Sequence, residues 1–227
     1  LPAPDPAARV RLWVDRAFTI RGSGTVVTGT LSAGRIRAGD VLELRGEAVT
    51  VRSVQSLGRG VDEVAAVARV ALNLRGVARD DVARGDVLTT PAAWHRTAVI
   101  DARVSAADLP GELVVHVGTI GVAARLRPLG ADTVRITLDR ALPLQAGDRA
   151  VLRDPGRQSV AAGVLVLDAD PPPLRRRGAA TRRAEELAGA TGRPNAAAEI
   201  ARRGAVRRRH LVALGVPLEP APDAREL

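Results

Sequence analysis

A chain of 227 residues that is 46% apolar can build two compact domains and an appendage, yet it has only three aromatic residues, Trp13, Trp94 and Phe18. Its cores must therefore be made of Val, Leu, Ile and Ala, which favours strands. The absence of cysteine excludes disulfides, thiol nucleophiles and thiolate metal sites, and the three scattered histidines, His95, His116 and His210, argue against zinc.

The formal charge of +9 is unevenly placed: residues 1–170 hold 22 Arg against 19 acidic residues, whereas residues 171–210 hold 11 Arg against 3 Glu. Every basic residue is Arg, in keeping with an Ala/Arg/Gly/Pro bias across the chain, so the lack of Lys carries no functional message. No uncharged apolar run reaches the roughly 17–25 residues of a membrane span, and the N-terminus lacks the basic and apolar regions of a signal peptide. The expectation is a soluble cytoplasmic protein with no membrane partner. Methionine is absent, and the chain reads as an internal piece of a longer protein.

From Ala8 to about Leu88, short β-rich runs alternate with turns. The runs are Arg9–Val14, Thr25–Ser32, Val41–Leu44, Val49–Ser56, Val64–Leu74 and Val87–Thr89, separated by Gly22-Ser23-Gly24, Gly39-Asp40, Gly46, Gly58-Arg59-Gly60 and Gly85-Asp86. This spacing predicts a small closed barrel rather than βαβ units. A second set covers Thr97–Val104, Glu112–Val117, Ile120–Arg127, Thr133–Leu138, Arg149–Leu152 and Ser159–Leu167, and predicts a second barrel of similar size. Pro171-Pro172-Pro173 closes it as a stiff linker that few contacts should cross. Beyond it, Leu174–Gly189 lacks strand alternation, Asn195 is placed to cap a helix over 196–203 ending at Gly204, and a third helix spans Ala205–Gly215, the last two in a helix–turn–helix relation. The tail with Pro217, Pro220 and Pro222 reads as irregular. The predicted division is 1–92, 93–170 and 171–227, a mainly β fold of two consecutive antiparallel β-barrels followed by a short helical segment.

No GxxxxGK[ST] loop occurs, and none can without Lys; nor is there a nucleophile-elbow serine or a suggestive carboxylate pair, since Asp80-Asp81 reads as solvated loop. The expectation is no catalytic residue, no metal and no cofactor within this segment.

The strongest local signal is Asp15-Arg16-Ala17-Phe18-Thr19-Ile20-Arg21-Gly22-Ser23-Gly24-Thr25-Val26-Val27-Thr28-Gly29-Thr30, followed by Gly34-Arg35-Ile36-Arg37-Ala38-Gly39-Asp40. Val26-Val27 would fill a barrel and Gly29 would permit a sharp bend; Gly22, Gly24, Gly29 and Gly118 read as structural. As an ordered string this resembles the second domain of translational GTPases, where G-x-G-T-V-x-T-G and a later G-x-[IL]-x-x-G-D recur. Val14-Asp15-Arg16-Ala17-Phe18, Arg69-Val70-Ala71-Leu72-Asn73-Leu74, Arg84-Gly85-Asp86-Val87-Leu88, His116-Val117-Gly118-Thr119 and Gly147-Asp148-Arg149-Ala150-Val151-Leu152 narrow the resemblance to the selenocysteine-specific elongation factors. It covers roughly residues 9–170, and the helical region only by position.

The resemblance implies barrel domains II and III and the start of an arm of winged-helix modules, with residues 174–227 a partial winged helix lacking its wing. It also implies a GTP-binding domain elsewhere in the protein that uses GTP and Mg²⁺ as a GTPase. The implied partners are selenocysteinyl-tRNA, the ribosome and, through modules further along the arm, a messenger RNA hairpin; the protein is expected to be a monomer. The selenol of selenocysteine is ionised at neutral pH, a thiol titrates near ~8.5 and a hydroxyl not at all, so fixed positive charge can discriminate. In the family an Asp and a basic residue just before the Gly-containing hairpin, and an Arg one strand pair away, form this pocket; matched here they are Asp15, Arg16 and Arg69, with Asp15 accepting from the α-amino group. From chemistry alone the same residues read as a surface ion pair and one exposed strand residue. The arginines at 175–177, 182–183 and 207–209, with Arg175, Arg176, Arg207 and Arg208 as the named candidates, could follow an RNA backbone or form a solvated helix face. His116, in an apolar strand, reads as a core residue. Two other readings stay open: the barrels of another translational GTPase, or a basic RNA-binding module.

Overall fold

The computed structural model describes residues 4–20 and 24–218, so the Gly22-Ser23 part of the first hairpin turn and the tail from position 219 lie outside the described residues. The chain forms two compact units, one of residues 1–93 with 116–122, the other of residues 94–115 with 123–227.

The first barrel is built from β1 (Arg11–Ile20), β2 (Gly24–Leu31), β3 (Arg35–Arg37), β4 (Val41–Leu44), β5 (Glu47–Ser56), β6 (Arg59–Val61), β7 (Glu63–Ala65), β8 (Ala68–Arg75) and β9 (Val87–Thr89), with a 3-10 turn at Arg79–Asp81. Six of these strands close in the order β4-β9-β1-β2-β8-β5 with β5 returning to β4, β6 pairs with the end of β5, and β3–β7 make a separate ribbon. Alternation drives closure: in β8 Val70, Leu72 and Leu74 are buried while Arg69 and Arg75 are exposed, and the inward residues join Leu12, Val14, Val27, Leu31, Val51, Val54 and Leu88 in one aliphatic core. The expected strand Val64–Leu74 is thus two strands in different sheets.

Gly29 lies opposite Val14, where β1 carries a bulge between Val14 and Arg16. A Cβ at Gly29 would stand 2.5 Å from the Trp13 carbonyl oxygen and 2.6 Å from Leu12 Cδ2. The glycine is there for close approach of β1, not for the bend expected from the sequence, since its backbone is outside the left-handed region.

The second barrel closes β10 (Thr97–Val104), β13 (Thr133–Leu142), β12 (Ile120–Pro128), β11 (Glu112–Val117), β14 (Arg149–Asp154) and β15 (Ser159–Asp168), in that order. Ile100, Val115, Val122, Ile136, Leu152 and Val166 fill it. His116 is exposed, because in β11 it takes the outward position between buried Val115 and Val117; it is not the core residue expected.

Three helices follow: α1 (Ala179–Leu187), α2 (Ala196–Arg203) and α3 (Arg208–Ala213), with no strand among the described residues after β15. Asn195 caps α2 as the sequence predicts, its side chain accepting from Ala198 N at 3.2 Å. The linker, however, is not a boundary that few contacts cross. Arg135 Nη1 donates to the Pro172 carbonyl at 2.8 Å, and α1 lays Ala180, Ala184 and Leu187 on Leu129, Leu165 and Leu167. Arg103 donates to the carbonyls of Leu187, Ala188 and Ala190, closing the end of α1. Arg183, which the sequence groups with the exposed arginines, is 5% exposed. Its Nε meets Asp101 Oδ2 at 2.7 Å, its Nη1 meets Glu186 at 2.9 Å, and its Nη2 donates to Asp168.

Candidate functional site

Two residues far apart in sequence meet on the outside of the first barrel. The bulge in β1 frees Asp15 from the pairing row, so its carboxylate reaches across β2: Oδ1 accepts from the Thr28 hydroxyl and Oδ2 from Arg69 Nη1 at 2.6 Å. Thr28 pairs with Arg16 on one side and Ala71 on the other, and Thr30 pairs with Arg69. Arg16, Thr28 and Arg69 therefore share the outer face while Val14, Val27 and Val70 fill the interior. The Asp15 side chain is 16% exposed and that of Arg69 58%.

Burial is the largest single influence on Asp15 and pushes its carboxyl up. The bonds from Arg69 and Thr28 and the charges of Arg69 and Arg16 outweigh it and hold the group below its ordinary value. Asp15 is thus a stable anion with acceptor capacity beyond its two bonds, and Arg69 uses one donor on it. Arg16 is exposed and lines a shallow cleft with Phe18, Arg79, Val82 and Arg84. Of the three residues matched from the family pattern, Asp15 and Arg69 meet directly, while Arg16 lies on the same outer face and acts on Asp15 through its charge, lining a cleft that includes neither. The sequence reading did not single out Thr28, Arg79 or Arg84. Thr28 could have been found from its register beside Arg16, and Arg84 from the Arg84-Gly85-Asp86 string.

In the helical part the four named arginines are exposed: Arg175 and Arg176 precede α1, Arg207 precedes α3 and Arg208 opens it. Their neighbours are committed to acids. Arg202 and Arg203 hold Glu199 at 2.7 and 2.9 Å, Arg203 also holds Asp170 at 2.8 Å, and His210 Nε2 lies 2.9 Å from Asp170 Oδ2. Burial pushes Asp170 and Glu199 up, but these cations, Arg203 foremost, hold both carboxyls below their ordinary values. A carboxyl depressed on folding stabilises the fold above its unfolded pKa, ~4, and that contribution disappears as pH falls through the folded value. Methyl NMR of Leu211 and Leu214 in their buried cluster should therefore be unchanged between pH 7 and 9 and show α2–α3 loosening below about pH 4. Loosening with a midpoint above pH 7 would contradict this anchoring.

Residues 24–89 match the family model of elongation factor Tu domain 2, and residues 110–173 match that of the selenocysteine-specific elongation factor β-barrel domain. The two barrels are like those of the selenocysteine-specific elongation factors. The selenocysteine-specific elongation factor of Escherichia coli (strain K12) is 33% identical over 168 residues, covering 71% of this chain and 27% of that protein. Elongation factor Tu 2 of Streptomyces avermitilis is 32% identical over 178 residues, covering 67% of this chain and 44% of that protein. The chain thus spans between about a quarter and less than half of the relatives it matches. The crystal structure of a bacterial selenocysteine-specific elongation factor shares the fold with a TM-score of 0.79 at 22% identity, over 97% of this chain and 37% of that one. That span takes in the helices as well as the barrels. Among the described residues no group of His, Asp and Glu is arranged to hold a metal ion, and no helix is long and apolar enough to cross a membrane.

Proposed function

We propose that this chain supplies the aminoacyl-binding barrel of a GTP-dependent elongation factor that carries selenocysteinyl-tRNA to the ribosome at recoded UGA codons. In this reading GTP and Mg²⁺ are held by a separate GTP-binding domain, the messenger RNA hairpin by later arm modules, and the factor works as a cytoplasmic monomer. The observation that carries the reading is the Asp15–Arg69 pair bonded across β2 beside Arg16. A barrel serving ordinary aminoacyl-tRNAs gains nothing from two arginines at this point. A barrel serving a selenolate gains a charge-assisted contact from each, because a guanidinium stays charged and presents a rigid fork. Asp15, already anionic, takes the α-ammonium group of the same aminoacyl residue.

The role of Asp15 is tested with N-acetylated selenocysteinyl-tRNA, in the factor joined to its GTP-binding domain. Acetylation removes the ammonium charge, so the parent should bind the acetylated form about 10- to 150-fold more weakly, the equivalent of a charge-assisted bond of roughly 1.5–3 kcal/mol. In Asp15→Asn the two forms should bind within about threefold of each other, because the carboxylate that told them apart is gone. Equal binding of both forms by the parent sinks this assignment.

A further inference from the structure

The arginines of the helical segment fall into two groups. Arg183, Arg202 and Arg203 spend their donors on Asp101, Asp168, Asp170, Glu186 and Glu199. Arg207, Arg208 and Arg209 are exposed and have no ion pair among the described residues. Residues 171–210 carry 11 Arg and 3 Glu, two of those Glu are already taken, and the surplus charge is therefore left facing solvent. Between α2 and α3 this charge surrounds a concave feature, a cleft lined by Arg203, Ala205, Val206, Arg207, Arg209 and His210.

The cleft is held in place from behind. Arg203 donates to the Asp170 carbonyl at 2.8 Å, His210 contacts the Asp170 carboxylate, and His95 N donates to the Ala213 carbonyl at 2.9 Å. Leu211, Leu214 and Val216 are buried beneath it. The acids thus neutralise the inner side of the helix pair, and the outer side presents cations on a fixed backbone with little ordering left to lose on binding.

We propose that the α2–α3 cleft is a second binding site, for the phosphodiester backbone of double-helical RNA, with Arg207 and Arg209 each meeting a phosphate. Three features select this ligand. The walls are cationic and shallow, suiting phosphates along a groove edge rather than an enclosed small molecule. Residues 171–218 contain no Phe, Trp or Tyr on which single-stranded bases could stack. Arg203 and His210, both held on Asp170, with Ala205 and Val206 make up the rest of the lining, so no amide or carboxylate is offered to base edges and recognition is indifferent to sequence. The choice of RNA rests on the elongation-factor reading of the barrels; the cleft does not, and its test uses neither GTP nor aminoacyl-tRNA.

The experiment measures fluorescence anisotropy of a labelled 12-base-pair RNA duplex against the 227-residue chain between 50 and 200 mM salt. Removing two phosphate contacts in Arg207→Gln/Arg209→Gln should lower the slope of log affinity against log salt by about 2 and weaken binding about 10-fold or more at 50 mM. Arg207→Lys/Arg209→Lys should keep most of the slope, because a backbone phosphate needs only a point charge. A scrambled duplex should bind equally well. The charge-matched control Arg52→Gln/Arg59→Gln, two exposed arginines of the first barrel, should retain the parent slope. Circular dichroism should show all variants folded, since the altered side chains are exposed. An unchanged slope in Arg207→Gln/Arg209→Gln, an equal fall in the control, or polyglutamate competing as well as the duplex would each overturn the proposal.

Discussion

Replacing Arg183 by Ala is expected to destabilise the second unit by about 3–5 kcal/mol, the usual cost of breaking a buried ion pair by removing one partner. Asp101 is fully buried and is held by Arg135 Nε at 2.7 Å and Arg183 Nε at 2.7 Å; the variant leaves it one guanidinium in place of two. Asp168 keeps Arg202, at 3.3 Å, as its one remaining cation among the described residues, and the Asp170 N–H, at 2.9 Å. Burial already pushes the Asp168 carboxyl up, and Arg183 is one of the charges opposing that push. The truncation also opens the seam where α1 lies on Leu129 and Leu167. Chemical denaturation followed by Trp94, which belongs to this unit, measures the loss. Adding Asp168→Asn should recover part of it, because the group left behind is then neutral. Glu63→Ala in the first unit provides the contrast. Glu63 pairs with Arg35 at 3.3 Å and with Arg37, and all three side chains are at least 34% exposed, so solvent screening limits the cost to about 1 kcal/mol or less. A loss below 1 kcal/mol for Arg183→Ala would mean that water reaches Asp101 and that the helical segment is not fastened as described.

Most of the barrel architecture was legible because its signal is local. Val41–Leu44, Val87–Thr89, Thr97–Val104 and Glu112–Val117 coincide with strands, since each is an apolar run bounded by turn residues. Arg35–Arg37 and Arg59–Val61 were not legible; three residues cannot display a period of two, and the second is exposed throughout. The burial of Arg183 was also hidden, because its partners lie 82 and 15 residues away and nothing in the local string separates it from exposed Arg182. The Asp15–Arg69 contact spans 54 residues and depends on the register of three strands and a bulge. Periodicity alone could not have paired them; the resemblance of the strings Asp15–Thr30 and Arg69–Leu74 to a known barrel nominated them, and the register explains how they meet.

That pair carries the second large expectation. If Arg16 and Arg69 face the selenolate, replacing either by Ala removes a charge-assisted contact of roughly 1.5–3 kcal/mol, or about 10- to 150-fold in affinity for selenocysteinyl-tRNA. The seryl form of the same tRNA has no anionic side chain and should bind almost as before. Both side chains are exposed, so the stability of the barrel should stay within about 1 kcal/mol of the parent. Arg69→Ala also frees Asp15 from its cation, and Thr28 remains to hold it. Arg→Lys at either position should recover only part of the loss, because an ammonium lacks the planar fork. The decisive measurement is the ratio of the dissociation constants for selenocysteinyl- and seryl-tRNA, in the GTP-bound factor, for the parent, Arg16→Ala and Arg69→Ala. The ratio should collapse by at least about 10-fold in each variant; a ratio left intact, or both tRNAs weakened equally, would place the selenolate pocket elsewhere.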